Sequence, residues 1–312
     1  MIRIFFILLS SFLLAGCGPT PLSSEEVTAP PQQPATTISL LQQVSKSAHN
    51  SALSGLIDSK LRASDPGKYE DSCLNCHSAT KLLDNPKAKL VDFLPGGKYN
   101  SQTEGITCRV CHDLGGAEMF NLKYGGWDAC GRCHTSSTIA LGQEVKHPQY
   151  NMVKGTGVGE VPSMPSLKYR LGDKFACYDC HLTDNRHHSF FVPGTVSSDT
   201  GYGNTRMDDK EFKTLLQTER CKICHLDANR TIEQLARHRE EIEQQLSELR
   251  LINYEWGKKI SNLDPKDPRV TAYYQGRTYF TYVDADGSKG AHNYELTKAL
   301  LDQAQVKFNV LK

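Results

Sequence analysis

The sequence predicts a mainly α chain with many loops, a compact domain whose core is filled largely by prosthetic groups, and long helices at its C-terminal end. Three observations lead to that class. Five C-x-x-C-H motifs, at Cys73-Cys76-His77, Cys108-Cys111-His112, Cys130-Cys133-His134, Cys177-Cys180-His181 and Cys221-Cys224-His225, take ten of the eleven cysteines. Hydrophobic residues make up only 38% of the chain, which suits a core where large flat groups replace aliphatic layers. From Thr231 to about Leu263 the apolar residues Ile232, Leu235, Ile242, Leu246, Leu249, Ile252 and Trp256 recur at helical spacing.

The motifs say what the groups are. A C-x-x-C pair can be half a zinc site, a thiol redox centre, or the two thioether anchors of a c-type haem. Only haem attachment requires an imidazole after the second cysteine, as the proximal iron ligand, and every copy has one. A zinc protein would tolerate any residue there, and a thioredoxin-like dithiol would occur once, inside a βαβ pattern. The reading is five covalent haem c, with zinc and a disulfide framework as the alternatives. Cys73, Cys76, Cys108, Cys111, Cys130, Cys133, Cys177, Cys180, Cys221 and Cys224 are the anchors. His77, His112, His134, His181 and His225 are the proximal ligands.

In chain order, residues 1–16 read as a secretory signal peptide. One arginine precedes an apolar run from Ile4 to Leu9 that resumes at Phe12, too short to span a membrane as a helix. Leu14-Ala15-Gly16-Cys17 resembles a bacterial lipobox, in which the cysteine becomes the lipidated N-terminus; Cys17 is the cysteine left over from the motifs. An ordinary export signal with an incidental cysteine is the alternative. Several acyl chains on one residue anchor stably, and Gly18 in place of an aspartate favours the outer membrane. Residues 17–37, rich in Pro, Ser and Thr, form a tether that cannot bury enough apolar surface to fold.

Residues 38–228 are the haem-binding region and 229–312 the helical C-terminal part of the same domain. These leave about 55 residues per haem, against roughly 100 to 200 residues for an ordinary single core. Motif spacings of 35, 22, 47 and 44 residues are too irregular for a solenoid. A net charge of +1 gives no support to nucleic-acid binding.

Six histidines lie outside the motifs: His49, His147, His187, His188, His238 and His292. Each haem closed to substrates needs one distal ligand. His49 stands among small and apolar residues before the first motif. His147 precedes a proline, which restricts its backbone. His292 stands at the start of an amphipathic helix carrying Leu296, Ala299 and Leu300 on one face. Of the adjacent pair, His188 is taken as the ligand and His187 as its exposed neighbour. His238 falls on the apolar face of the long helix, three residues after Leu235 and four before Ile242, where a core or interface histidine is the alternative reading. Met119, Met152, Met164 and Met207 are other distal candidates. The run Asp284-Ala285-Asp286-Gly287 hints at a calcium loop with Glu295 in twelfth place, but Lys289 occupies the obligatory glycine position, so a plain turn is expected.

The order of the motifs, VKHPQY followed by GVGEVPSMPS, CYDCH followed by HHSF, and KGAHN opening a late helix together resemble the superfamily of pentahaem cytochrome c nitrite reductase and octahaem tetrathionate reductase, over roughly Ser45 to the C-terminus. The resemblance implies that His147, His188 and His292 are distal ligands. It also implies that the long helix belongs to a helical C-terminal part that often forms dimer contacts. Two departures weigh against nitrite reduction: the reductases have a C-x-x-C followed by lysine, and CRVCH here runs on into DLGGAEMF instead of a tyrosine-rich segment. The chain is short for the enzyme as well.

The expectation is therefore an electron carrier in an anaerobic, extracytoplasmic respiratory chain. It is exported and lipid-anchored at the outer membrane or cell surface, with the periplasmic side as the other option. Its partners are redox proteins or other cytochromes, or further copies of itself in an oligomer or filament. The alternative is a reductase of a small nitrogen or sulfur oxyanion at one haem with an open distal face.

Overall fold

The computed structural model describes residues 44–45, 47–114, 122–172, 176–181, 192–193, 206–207, 217, 222 and 225–312. Cys17, His187, His188, Cys221 and Cys224 lie outside them. Helices are α1 (Ala52–Arg62), α2 (Leu74–His77), α3 (Cys108–Cys111), α4 (Asp128–Gly131), α5 (Gln149–Val153), α6 (Leu167–Leu171), α7 (Cys177–His181), α8 (Ala228–Lys259), α9 (Pro268–Asp286) and α10 (Tyr294–Asn309). Strands β1 (Val192–Pro193) and β2 (Arg206–Met207) pair in parallel, Val192 opposite Arg206. The chain is mainly helical, as expected, and Thr36–Lys312 form one compact unit. Among the described residues no helix is long and apolar enough to cross a membrane.

In the first half the helices are short because the motifs set them. A single turn brings residues three and four apart onto one side, so each of the four described motifs can present both thiols and its imidazole together. The amides of His112 and His134 close such turns on the carbonyls of Cys108 (2.8 Å) and Cys130 (3.0 Å). Among the described residues only α1 runs longer here. It buries Leu53, Leu56 and Ile57 against Leu74, Ala88, Leu90 and Phe93, and Lys60 and Arg62 in its last turn suit the negative end of the helix dipole.

The last third has a core of the ordinary kind. Helix α8 is capped by Asp227, whose side chain accepts from the Arg230 amide at 3.0 Å, and it buries Ile242, Leu246 and Leu249. The expected start at Thr231 is thus three residues late, and a 3₁₀ turn at Ile260–Asn262 follows Lys259. Helix α10 buries Leu296, Leu300, Leu301, Ala304 and Phe308 completely.

Between them runs α9, which the periodicity of the sequence did not announce. Its aromatic and β-branched residues favour strands by propensity, yet Asp267 caps its start, Pro268 takes the first turn, and Gly287 ends it with φ 69°. Tertiary burial on nearly every side overrides propensity. Helix α9 also fastens the loop before and after His147. Thr278 Oγ1 accepts from the Gly142 amide at 2.9 Å, Thr281 Oγ1 from the Val145 amide at 3.1 Å, and Tyr282 donates to the Thr156 carbonyl at 2.7 Å.

Candidate haem-ligating site

Three motif histidines face a histidine from elsewhere in the chain. The ring centres of His77 and His147 are 5.8 Å apart, those of His134 and His49 5.9 Å, and those of His181 and His292 6.2 Å. Two imidazoles on opposite sides of one metal, each bonded at about 2 Å, put their ring centres about 6 Å apart. The three separations fit an iron held between each pair.

Local contacts aim each ring. His49 is strapped by its carbonyl, which accepts from the Ile106 amide at 3.0 Å and the Ala52 amide at 3.3 Å. Gly105 makes this possible, because a Cβ there would lie 2.0 Å from the Asn50 carbonyl oxygen. His147 takes a left-handed backbone, φ 51°. This differs from the extended conformation expected before proline; histidine tolerates it better than most residues, and the bonds from α9 on either side impose it. His77 donates from Nδ1 to the Ala52 carbonyl at 2.9 Å. His292 has Nδ1 2.7 Å from Asp286 Oδ1.

In three of these rings the neutral form is favoured. Burial, with the nearby His134, His181 and His77, lowers His49 to about 4. His147 keeps more solvent contact, and lost hydration followed by His77 and His134 also takes it to about 4. Burial lowers His134 as well, against a raising influence of the Gln149 amide beside it. Neutral imidazoles keep a nitrogen lone pair for a metal. At His292 burial would lower the proton affinity, but the charge and hydrogen bond of Asp286 more than offset it, and the net direction is up.

The thiols adjoin across motifs. Cys76 lies within hydrogen-bonding reach of Cys133, and Cys130 of Cys177, while Cys111 is close enough to act electrostatically on both Cys130 and Cys133. The third motif therefore stands next to the first, second and fourth. Among the described residues no cluster of three or more His, Cys, Asp or Glu side chains could hold a metal by itself. Trp127, 5% exposed and beside the third motif, has an Nε1 without a partner among the described residues. Such a buried donor suits an acidic haem propionate.

The remaining candidates are placed differently. The ring of His238 stacks on Tyr294, 3.8 Å between centres and 15° between planes. His225 has Nδ1 3.4 Å from the Thr231 hydroxyl in the first turn of α8. Gln149 and Tyr294 are residues beside the rings that the sequence does not single out, and Asp286, expected in a plain turn, is instead the last residue of α9, with the turn at Gly287.

No protein-family model and no curated protein matches the sequence. Solved structures do. The outer cell wall cytochrome OcwA superposes with a TM-score of 0.61 at 26% identity, over 85% of this chain and 49% of that one. The undecahaem cytochrome from the S-layer of Carboxydothermus ferrireducens gives 0.49 at 22%, over 82% and 40%. Cytochrome c nitrite reductase from Desulfovibrio desulfuricans gives 0.56 at 15%, over 84% and 69%. The chain spans about half the length of OcwA. Its fold is that of the multihaem c-type cytochromes, shared with cytochrome c nitrite reductase.

Proposed function

We propose that this chain, a multihaem c-type cytochrome, is an exported electron carrier that holds five covalent haems and exchanges electrons with other cytochromes outside the cytoplasm. The observation that carries the reading is the opposition of His77, His134 and His181 to His147, His49 and His292 at 5.8 to 6.2 Å. When bound, the haem iron supplies one-electron redox chemistry, and a six-coordinate iron has no position for a substrate.

The chain's own residues do the rest. The thiol pairs anchor the edge of each group. The adjoining cysteines of the first, third and fourth motifs keep neighbouring groups close, and electron tunnelling falls exponentially with distance. The paired imidazoles would hold the iron and would set its potential range.

Location follows from chemistry and the N-terminus. Haem c is attached outside the cytoplasm, Cys17 would carry the lipid, and residues 17–37 would hold the domain off an outer membrane or cell surface. OcwA, named for the outer cell wall, agrees with such a placement.

A second reading rests on one specific contact. Since His238 stacks on Tyr294, the haem of the second or of the fifth motif would have an open face unless another residue closes it, and an open iron could reduce a small nitrogen or sulfur oxyanion. An electron paramagnetic resonance spectrum of the oxidised protein separates the two. Low-spin iron throughout, with five haems by mass and no nitrite or hydroxylamine turnover, is the expected result. A high-spin signal accompanied by turnover would make the chain a reductase.

A further inference from the structure

Asp286 occupies a poor place for a carboxylate. It is the last residue of α9, where the negative end of the helix dipole repels it, and its side chain is 1% exposed, where a charge needs partners. A residue placed against two local rules is better explained by a task than by stability. Its partners say which task. Oδ1 is 2.7 Å from His292 Nδ1. Oδ2 accepts from the Ser288 hydroxyl and, at 3.3 Å, from the Ser288 amide, while Ser288 Oγ accepts from the His292 amide at 3.2 Å. The left-handed turn at Gly287 folds the chain back so that a helix end and a histidine six residues on share one carboxylate.

Two of the other rings, His77 and His134, have neutral partners. His77 donates to the Ala52 carbonyl, and His134 has the Gln149 amide beside it. That same Gln149 donates to the carbonyls of Ala285 (2.8 Å) and Asp286 (3.4 Å), so the end of α9 also braces the neighbouring site.

We infer that Asp286 is a positioning residue that ties His292 to one ligating nitrogen and makes the site between His181 and His292 the lowest in potential of the three paired sites. A proton on Nδ1 shared with the carboxylate leaves Nε2 as the ligand nitrogen. It also makes the imidazole a stronger electron donor. The buried negative charge favours the more positive, oxidised iron, more strongly than it would in water. The site is thus reduced last, and through the Cys130 and Cys177 contact it hands its electron to the third site most readily.

This rests on His181 and His292 sharing an iron, and the experiment keeps the two claims apart. In the haem-loaded protein, His292→Ala should produce a high-spin signal; if it leaves all iron low-spin, the pairing and this inference both fall. Asp286→Asn should keep low-spin iron and five haems. In a potentiometric titration it should raise the reduced-to-oxidised ratio of one haem about tenfold at fixed potential, or about 59 mV, leaving the others in place. Ser288→Ala, which removes a donor from Oδ2 and returns charge to Oδ1, should move the same haem the opposite way. Asp286→Glu should restore the original order. With His292→Ala high-spin, an unchanged titration in Asp286→Asn overturns the role of Asp286 alone. So do equal shifts of all haems, or shifts of the same sign in Asp286→Asn and Ser288→Ala.

Discussion

The C-terminal helices and the motif region of this chain are held together by different means. Helices α8, α9 and α10 bury Ile242, Tyr279, Tyr282, Leu300 and Phe308 to 0% exposure in one continuous core. Between residues 47 and 134 the described apolar clusters are small, one under α1 and one around Ala79, Ile106 and Val110, and the side chains that converge are cysteines and histidines. The first kind of region is stabilised by burial that the polypeptide supplies alone. The second has the short turns and loops of a wall built around something else. One compact unit can therefore contain a self-sufficient scaffold and a part that depends on its cofactor.

The largest effect should come from emptying one position in the dependent part. Replacing both Cys130 and Cys133 with alanine should remove one haem, seen as a mass decrement, and lower amide exchange protection across residues 47–134, because the third motif adjoins the first, second and fourth. Residues 268–309 should stay protected. Equal loss in both regions would break the distinction.

A cavity in the scaffold should act the other way round. Phe308 is fully buried, and Phe308→Ala should cost about 3 to 5 kcal/mol, read as a lower denaturation midpoint. The haem absorption bands of the folded protein should be unchanged. A changed ligand-field spectrum before unfolding would mean that the core sets the iron geometry directly.

How much of this was legible in the residues depends on what each feature needs. Attachment is local chemistry within five residues, so C-x-x-C-H could be read outright. The long helix and the helix after KGAHN follow from periodicity and caps, and both are present within a few residues of their expected bounds. His49, His147 and His292 stand out in the sequence because few histidines lie outside the motifs, and the structure adds that each faces a motif histidine. Which motif each would face could not, since His49 and His134 are brought together by folds 85 positions apart in sequence. Helix α9 was missed because its residues prefer strands and only burial makes it helical; the Asp267-Pro268 start and Gly287 stop were the available signals. Asp286 was missed for a related reason. Its role depends on a turn that no spacing rule reports.

A smaller change tests packing inside the scaffold. A Cβ on Gly276 would lie 2.6 Å from two ring atoms of Phe308, closer than atoms can sit without a shift. Gly276→Ala should therefore destabilise by about 1 to 3 kcal/mol, despite alanine's better helix propensity. Stabilisation instead would mean that Phe308 has room to move and that this core is looser than its burial implies.

The smallest effect concerns acid and the start of α9. Asp267 caps the helix by accepting from the Arg269 amide at 2.9 Å and pairs with the Arg269 guanidinium at 2.7 Å. The side-chain and backbone bonds from Arg269 lower its carboxyl from 3.8 to about 2. A carboxylate lowered on folding contributes stability that is present above its unfolded value and is lost as pH falls toward the folded one, so the window is from about pH 4 down to about pH 2. Asp267→Asn keeps a good cap residue but removes the titrating charge. At neutral pH the variant should unfold close to the wild type, since an exposed ion pair contributes little. Between about pH 4 and pH 2 its stability should fall less steeply than the wild type's, measured by denaturant titration at each pH. Parallel curves through that window would show that the acid response of α9 arises at other carboxylates, and that the scaffold is no more tied to this cap than to its core.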